Sequence, residues 1–263
     1  MADGICNNCG AALAGEFCHR CGQKEADTDW RSAGDVARQF WGELVSLDFK
    51  SVRTVAALFK PGHMAAAFIA GRRTRYLSPL KTYLLAAALF FVVAPKVTDF
   101  TFERQMAVDR QGSFRALVEA RIVETGVSRE LFAERFARNL QTVYTLMPIL
   151  SVVALTLLLR GFYGTVFRWL GPHMVVALYH VAFLYAIALL VHGLNEHLNA
   201  PNLGMLLALQ YAILLPYMFL TLRRVYAEPP RRTAAKTVAI LFFAFLIDSP
   251  ISIAAVMLSV RLT

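Results

Sequence analysis

The residues best suited to chemistry lie at the start of the chain. Cys6, Cys9, Cys18 and Cys21 are its only cysteines, and they fall into two Cys-x2-Cys pairs. In a reducing compartment such pairs read as metal ligands rather than disulfides. Each pair builds a knuckle whose two sulfurs face one point. Gly10 and Gly22 follow the second cysteine of each pair, where the backbone must turn sharply. Four thiolates close a tetrahedral shell around Zn²⁺ and leave no open position, so the expected site is structural rather than catalytic. An iron centre of rubredoxin type uses the same four ligands. The link between the pairs is short, so a ribbon over residues 1–24 is expected to need its metal to fold. Phe17 is expected to pack beneath a knuckle. A secreted disulfide framework would need a signal peptide, and the opening residues carry neither a basic nor an apolar leader.

A second set of polar groups lies inside long apolar runs. Asp248 is the only acid in such a run. An ionised carboxylate at mid-bilayer costs about 2.5–3.5 kcal/mol on insertion scales, so it needs a partner, a cavity or a proton. Pro250 follows it and frees the carbonyl of Leu246, which marks a possible bend. The plain reading is a kink whose acid is hydrogen-bonded by Ser249 or Gln210. The functional reading is a proton or ion site. His173 and His180 share one helix face two turns apart, about 10.8 Å, too far to hold one ion. With Gln210 and Asp248 they outline a candidate intramembrane polar site, and packing against tyrosines such as Tyr179 or Tyr185 is the competing reading. Arg72, Arg73, Arg75, Arg223 and Arg224 are candidates for anionic headgroups at about 1 kcal/mol each, although setting the topology suffices to explain them. There is no Gly-x-Ser-x-Gly, His-Glu-x-x-His or Walker sequence, and no enzymatic activity is expected.

These groups must be positioned by the elements around them. The chain has 263 residues, 57% hydrophobic and 17% charged. Ordinary soluble domains carry about 25% charged residues, and disordered chains are low in hydrophobicity, so both classes are excluded. Five apolar runs occur, at 77–95, 143–159, 174–191, 203–222 and 237–260. The first is near the roughly 20 residues that cross a bilayer core. Basic residues flank them unevenly. Arg72, Arg73, Arg75 and Lys81 lie at the first run, Arg160 and Arg168 between the second and third, and Arg223, Arg224, Arg231, Arg232 and Lys236 between the fourth and fifth. Residues 98–140 are neutral overall and 194–202 carry no Lys or Arg. Basic loops stay cytoplasmic. Five transmembrane helices, with a cytoplasmic N-terminus and an extracytoplasmic C-terminus, put every basic loop on one side. Because the excess charge sits between apolar runs rather than on one face, no nucleic-acid partner is expected; the expected partners are the lipid bilayer and a protein docking on the ribbon.

The rest of the chain reads as support. Residues 25–33 form a polar linker, and 34–60 an amphipathic helix stopped by Pro61-Gly62. With a short segment at 64–70, these make a membrane-surface region over 25–76. Within 77–263, residues 98–140 read as two amphipathic helices outside the membrane, the second capped by Ser128. The expected fold is an all-α integral membrane protein of five transmembrane helices plus amphipathic helices, with a small N-terminal zinc ribbon.

The run Cys6–Gln23 resembles the opening of a bacterial family of uncharacterised multi-span membrane proteins, whose ribbon ends in Cys-Gly-Gln. The likeness continues at Phe59-Lys60-Pro61-Gly62 and at Gly71-Arg72-Arg73-Thr74-Arg75-Tyr76-Leu77-Ser78-Pro79. It returns at Leu146-Met147-Pro148-Ile149 and at His173 to His180. The resemblance implies a zinc ribbon on a multi-span domain of the bacterial inner membrane, and no reaction. Two functions are expected from these readings. One is a membrane protein whose cytoplasmic ribbon recruits or senses a partner. The other is a transporter or channel-like protein using the Asp/His polar path.

Overall fold

Helix formation follows the apolar runs. The computed structural model describes residues 4–24, 50–97, 102, 106, 109, 112–198 and 203–263. Among them are eight helices: α1 (Lys50–Leu58), α2 (His63–Ile69), α3 (Pro79–Val97), α4 (Ser113–Thr125), α5 (Arg129–Tyr163), α6 (Leu170–Leu198), α7 (Leu203–Tyr226) and α8 (Pro230–Arg261). The linker 25–33 and most of the amphipathic helix expected at 34–60 lie outside the described residues. Among the described residues, three helices are long and apolar enough to cross a membrane: Arg129–Tyr163, Leu170–Val191 and Pro230–Arg261. The apolar stretch of α3, Pro79–Val93, is shorter.

One boundary differs from the sequence reading. The second amphipathic helix of 98–140 and the apolar run at 143–159 are one helix, α5, of 35 residues. Polarity changes near Gln141 and Thr142, but neither glycine nor proline stands there to break the backbone. The buried row Phe132, Phe136, Leu140 and Val143 carries straight across at helical spacing. Ser128 starts this helix, its Oγ accepting from the Leu131 N–H at 3.3 Å. At 1.5 Å per residue α5 is about 50 Å long, against about 30 Å for a hydrocarbon core. Its length exceeds that thickness by about 20 Å. In its first turns Phe132, Phe136 and Leu140 form a separate apolar cluster with Phe102, Met106, Phe114, Val118 and Val260.

The main core is built around α6. Every residue from Val175 to Phe183 is buried, which explains why its sequence is apolar on all faces. The small buried residues Ala177, Ala182 and Ala188 let neighbouring helices approach closely. By contrast, most of the apolar surface of α8 faces outward.

Contacts fix the helix directions. Along α5 and α8 the pairs are Phe162 with Lys236, Ser151 with Asp248 and Asn139 with Thr263, so these helices run antiparallel. Tyr217 stacks on Phe183 and Tyr226 on His173, so α6 and α7 are antiparallel too. One end of the bundle thus gathers Tyr163, His173, Tyr226 and Lys236. The Lys236 ammonium there donates to Glu228 Oε1 at 2.7 Å and to the Phe162 carbonyl at 2.8 Å. The opposite end joins the chain's last residues to the 98–140 region: Arg121 donates to the Arg261 carbonyl at 3.0 Å and Asn139 to Thr263 Oγ1 at 3.1 Å.

Helices α1 and α2 are bolted to the first of these ends. The Tyr217 hydroxyl donates to the Leu58 carbonyl at 2.9 Å, and Arg224 donates to the Pro61 carbonyl at 2.6 Å. The Leu77 N–H donates to Thr54 Oγ1 and the Leu77 carbonyl accepts from the Tyr179 hydroxyl, both at 2.9 Å. The Leu58 carbonyl is one that the C-terminus of α1 leaves without an intrahelical partner.

Candidate metal centre and polar cavity

The two cysteine knuckles are built alike. Cys6 N–H donates to the Ala11 carbonyl and Gly10 N–H to the Cys6 carbonyl; Cys18 N–H donates to the Gln23 carbonyl and Gly22 N–H to the Cys18 carbonyl, all at 2.8–2.9 Å. Gly10 and Gly22 have φ of 74° and 70°, the left-handed turn that glycine adopts freely. Isolated antiparallel bridges pair Ile5 with Ala12 and Phe17 with Lys24. The result brings all four Sγ atoms within 4.8 Å of one another. Cys6 and Cys21 are 3.6 Å apart, Cys9 and Cys18 3.5 Å. Sulfurs about 2.3 Å from a tetrahedral metal lie about 3.8 Å apart, so the donor set fits one metal ion. The Gln23 backbone N–H holds the Cys21 thiol down at about 6, against the opposing effect of burial. Cys9 is pushed up to about 12: the Ala11 amide favours its thiolate, but burial and the neighbouring thiols outweigh it.

Phe17 does not pack beneath a knuckle. It is 59% exposed, and Ile5, its counterpart in the first knuckle, is 70% exposed. A ribbon this small encloses no apolar core, and the metal position takes the place of one.

The ribbon rests on the helical domain through Gln23. This side chain is buried; its Nε2 donates to the Gly71 carbonyl at 2.7 Å and its Oε1 accepts from the Arg73 N–H at 3.2 Å. Asn7 of the first knuckle also lies against Gly71. The loop that leads into α3 is therefore gripped by both knuckles. Nothing in the sequence signals this, because one amide reading the backbone of a distant loop leaves no spacing pattern. Replacing Gln23 with alanine removes two hydrogen bonds worth about 1 kcal/mol each. The expected outcome is a ribbon that keeps its metal but is cleaved faster by protease; unchanged cleavage would show that Gln23 does not hold it.

The five arginines read as headgroup candidates have unequal surroundings. Arg224 is engaged with the Pro61 carbonyl. The Arg73 guanidinium lies over the Phe68 ring at 4.7 Å and that of Arg75 over Tyr76 at 5.7 Å. Arg72 and Arg223 are exposed.

A cavity of about 180 Å³ lies between α5, α6, α7 and α8. Its polar lining comes from Ser151, His180, Tyr185, Gln210, Tyr211 and Asp248. Three residues singled out from the sequence thus meet in one place. Asp248 accepts from the Ser151 hydroxyl at 2.8 Å, and not from Ser249 or Gln210. The partner comes from α5, far away in sequence, where a serine inside an apolar run is the only hint. His180 is buried and its Nδ1 has no hydrogen-bond partner.

His173 does not line this cavity. Its Nε2 bonds the Phe167 carbonyl at 3.0 Å and its Nδ1 the Tyr226 hydroxyl at 2.8 Å. A carbonyl only accepts, so Nε2 carries the proton and Nδ1 accepts. The ring stacks on Tyr226, which stacks on Tyr163 at 4.0 Å. His173 is a satisfied packing histidine at the helix ends, and its tyrosine is Tyr226 rather than Tyr179 or Tyr185.

A family described as "Protein of unknown function (DUF3667)" matches residues 50–91, the stretch that holds α1, α2 and most of α3. No curated protein and no solved structure matches the chain.

Proposed function

We propose that the chain is a five-span protein of the bacterial cytoplasmic membrane whose zinc-held ribbon recruits or senses a protein partner at the cytoplasmic face. The observation that carries this reading is the Gln23 grip on Gly71 and Arg73. It fixes the ribbon to the helical domain while Ile5 and Phe17 stay exposed. A closed tetrathiolate has no position for substrate, so what the ribbon offers is surface. Zinc is favoured over iron for a structural site of this shape because it adds no redox chemistry. The bundle geometry supports five spans. The ribbon and the basic loops gather at one end, as the positive-inside rule requires, and the C-terminus packs with the neutral 98–140 region at the other. Affinity purification tests recruitment: a partner that binds the intact chain should be lost from an Ile5→Asp, Phe17→Asp variant that keeps its metal. Retention of every partner would end the reading.

The topology yields its own prediction. Reporters fused near Gln111 and after Thr263 should be active only outside the cytoplasm, and one near Glu228 only inside. A cytoplasmic reading at Thr263 would contradict five spans.

One observation favours a second reading, a transporter or channel-like role: His180, Gln210 and Asp248 share a single cavity. Complementation of a deletion strain by Asp248→Asn and His180→Gln chains tests it, with loss of function expected because an amide cannot exchange a proton.

A further inference from the structure

Among the described residues, Asp248 is the only charged side chain lining the cavity, and no lysine or arginine joins it. Its hydrogen bond from Ser151 supplies a dipole, not a counter-charge. A carboxylate in this position needs a cation or a proton. Resting on the second reading above, we propose that this cavity binds a small organic ammonium ion, with Asp248 as its counter-charge and Gln210 and His180 as hydrogen-bond partners.

The lining selects this class over the others. A divalent hard cation takes six or more oxygen ligands, and a transition metal needs three or more convergent donors. Among the described residues only the four cysteines meet that count. Anions find no positive group here. An ammonium finds three kinds of acceptor: the carboxylate, the Gln210 amide oxygen and a neutral imidazole nitrogen. His180 is only 6% exposed and its Nδ1 lacks a partner, so a neutral ring has accepting capacity that the protein does not use. Tyr185, Tyr211 and Phe245 add aromatic rings to the wall, and an ammonium is attracted to the face of such a ring. The remaining lining, including Leu155, Leu184 and Leu214, is apolar and suits carbon. The volume bounds the size, since a cavity of about 150 Å³ takes up benzene. A ligand of roughly that size with one positive charge fits both the charge and the space.

The test uses the full metal-loaded chain in detergent and three probes of one shape: benzylammonium, benzyl alcohol and benzoate. Calorimetric titration should show benzylammonium binding at least about tenfold tighter than benzyl alcohol, the difference expected for one charge-assisted contact. Benzoate should not bind. Asp248→Asn should erase the preference for the cation. Ala244→Leu, which fills the cavity and leaves the carboxylate, should weaken benzylammonium by at least about tenfold. Equal affinity for the amine and the alcohol, no saturable binding of the amine, or unchanged binding in both variants would overturn the proposal. Complementation separates it from the transport reading. Loss of function in Asp248→Asn without amine binding to the parent chain overturns the ligand and spares transport. Amine binding together with full complementation supports the ligand and removes transport.

Discussion

Replacing Cys9 with serine is expected to strip the metal from the purified protein and to unfold residues 4–24, while the helical domain stays folded. The ribbon has little else to hold it. Each knuckle is closed by a few main-chain hydrogen bonds of its own, and two of the ribbon's three larger apolar side chains, Ile5 and Phe17, face outward. Structural zinc in small ribbons supplies about 10–16 kcal/mol of apparent binding free energy, which is also folding free energy. Removing one of four thiolates breaks the closed shell and the geometry that the other three need. The helical domain has its own core around α6, so its helical signal should survive. Metal analysis should read about one ion per chain in the parent and near none in the variant. Retained metal in Cys9→Ser would contradict the tetrathiolate.

Gly62→Ala is expected to be strongly destabilising for a change of a single methyl group. Gly62 has φ 67°, a conformation that costs an L-residue about 1–2 kcal/mol. A Cβ there would also lie 2.9 Å from the Thr221 Cα and 3.0 Å from its carbonyl oxygen. Both belong to the α7 backbone, which cannot swing aside as a side chain can. The turn between α1 and α2 must then lift from α7, straining the Tyr217–Leu58 and Arg224–Pro61 hydrogen bonds. The combined loss is expected at about 3 kcal/mol or more. Gly126→Ala is the control. It has the same φ of 67°, but nothing lies within 4 Å of its added methyl. Thermal unfolding in detergent should show Gly62→Ala losing at least twice what Gly126→Ala loses. Equal losses would mean that the α1–α2 turn is not packed on α7.

What the residues announced and what they concealed differ by the range of the interactions involved. The four-cysteine cluster was readable because ligand spacing is local and each knuckle closes within a few residues. Helices were readable from apolar runs, three of which are long and apolar enough to cross a membrane. The Ser128 cap is local too. Interactions between distant segments left no pattern. Ser151 meeting Asp248, Gln23 gripping Gly71 and Arg73, and Tyr226 taking His173 all join residues far apart in sequence. The join at Gln141 and Thr142 is hidden for another reason: a change of polarity marks where a helix leaves one environment, and not where its backbone ends. Phe17 faces outward because a ribbon this small has no apolar core for it to enter.

The proposed function requires a ribbon that, with its metal bound, clamps the loop ahead of α3. Hydrogen exchange over residues 71–73 of the full chain, with metal bound and after chelation, tests this most directly. The Arg73 N–H donates to Gln23 Oε1, and Gln23 is placed by its own knuckle. The prediction is slow exchange at Arg73 in the metal-loaded protein and fast exchange after chelation, with the buried amides of α6 unchanged in both. Equal exchange at Arg73 in the two states would contradict it.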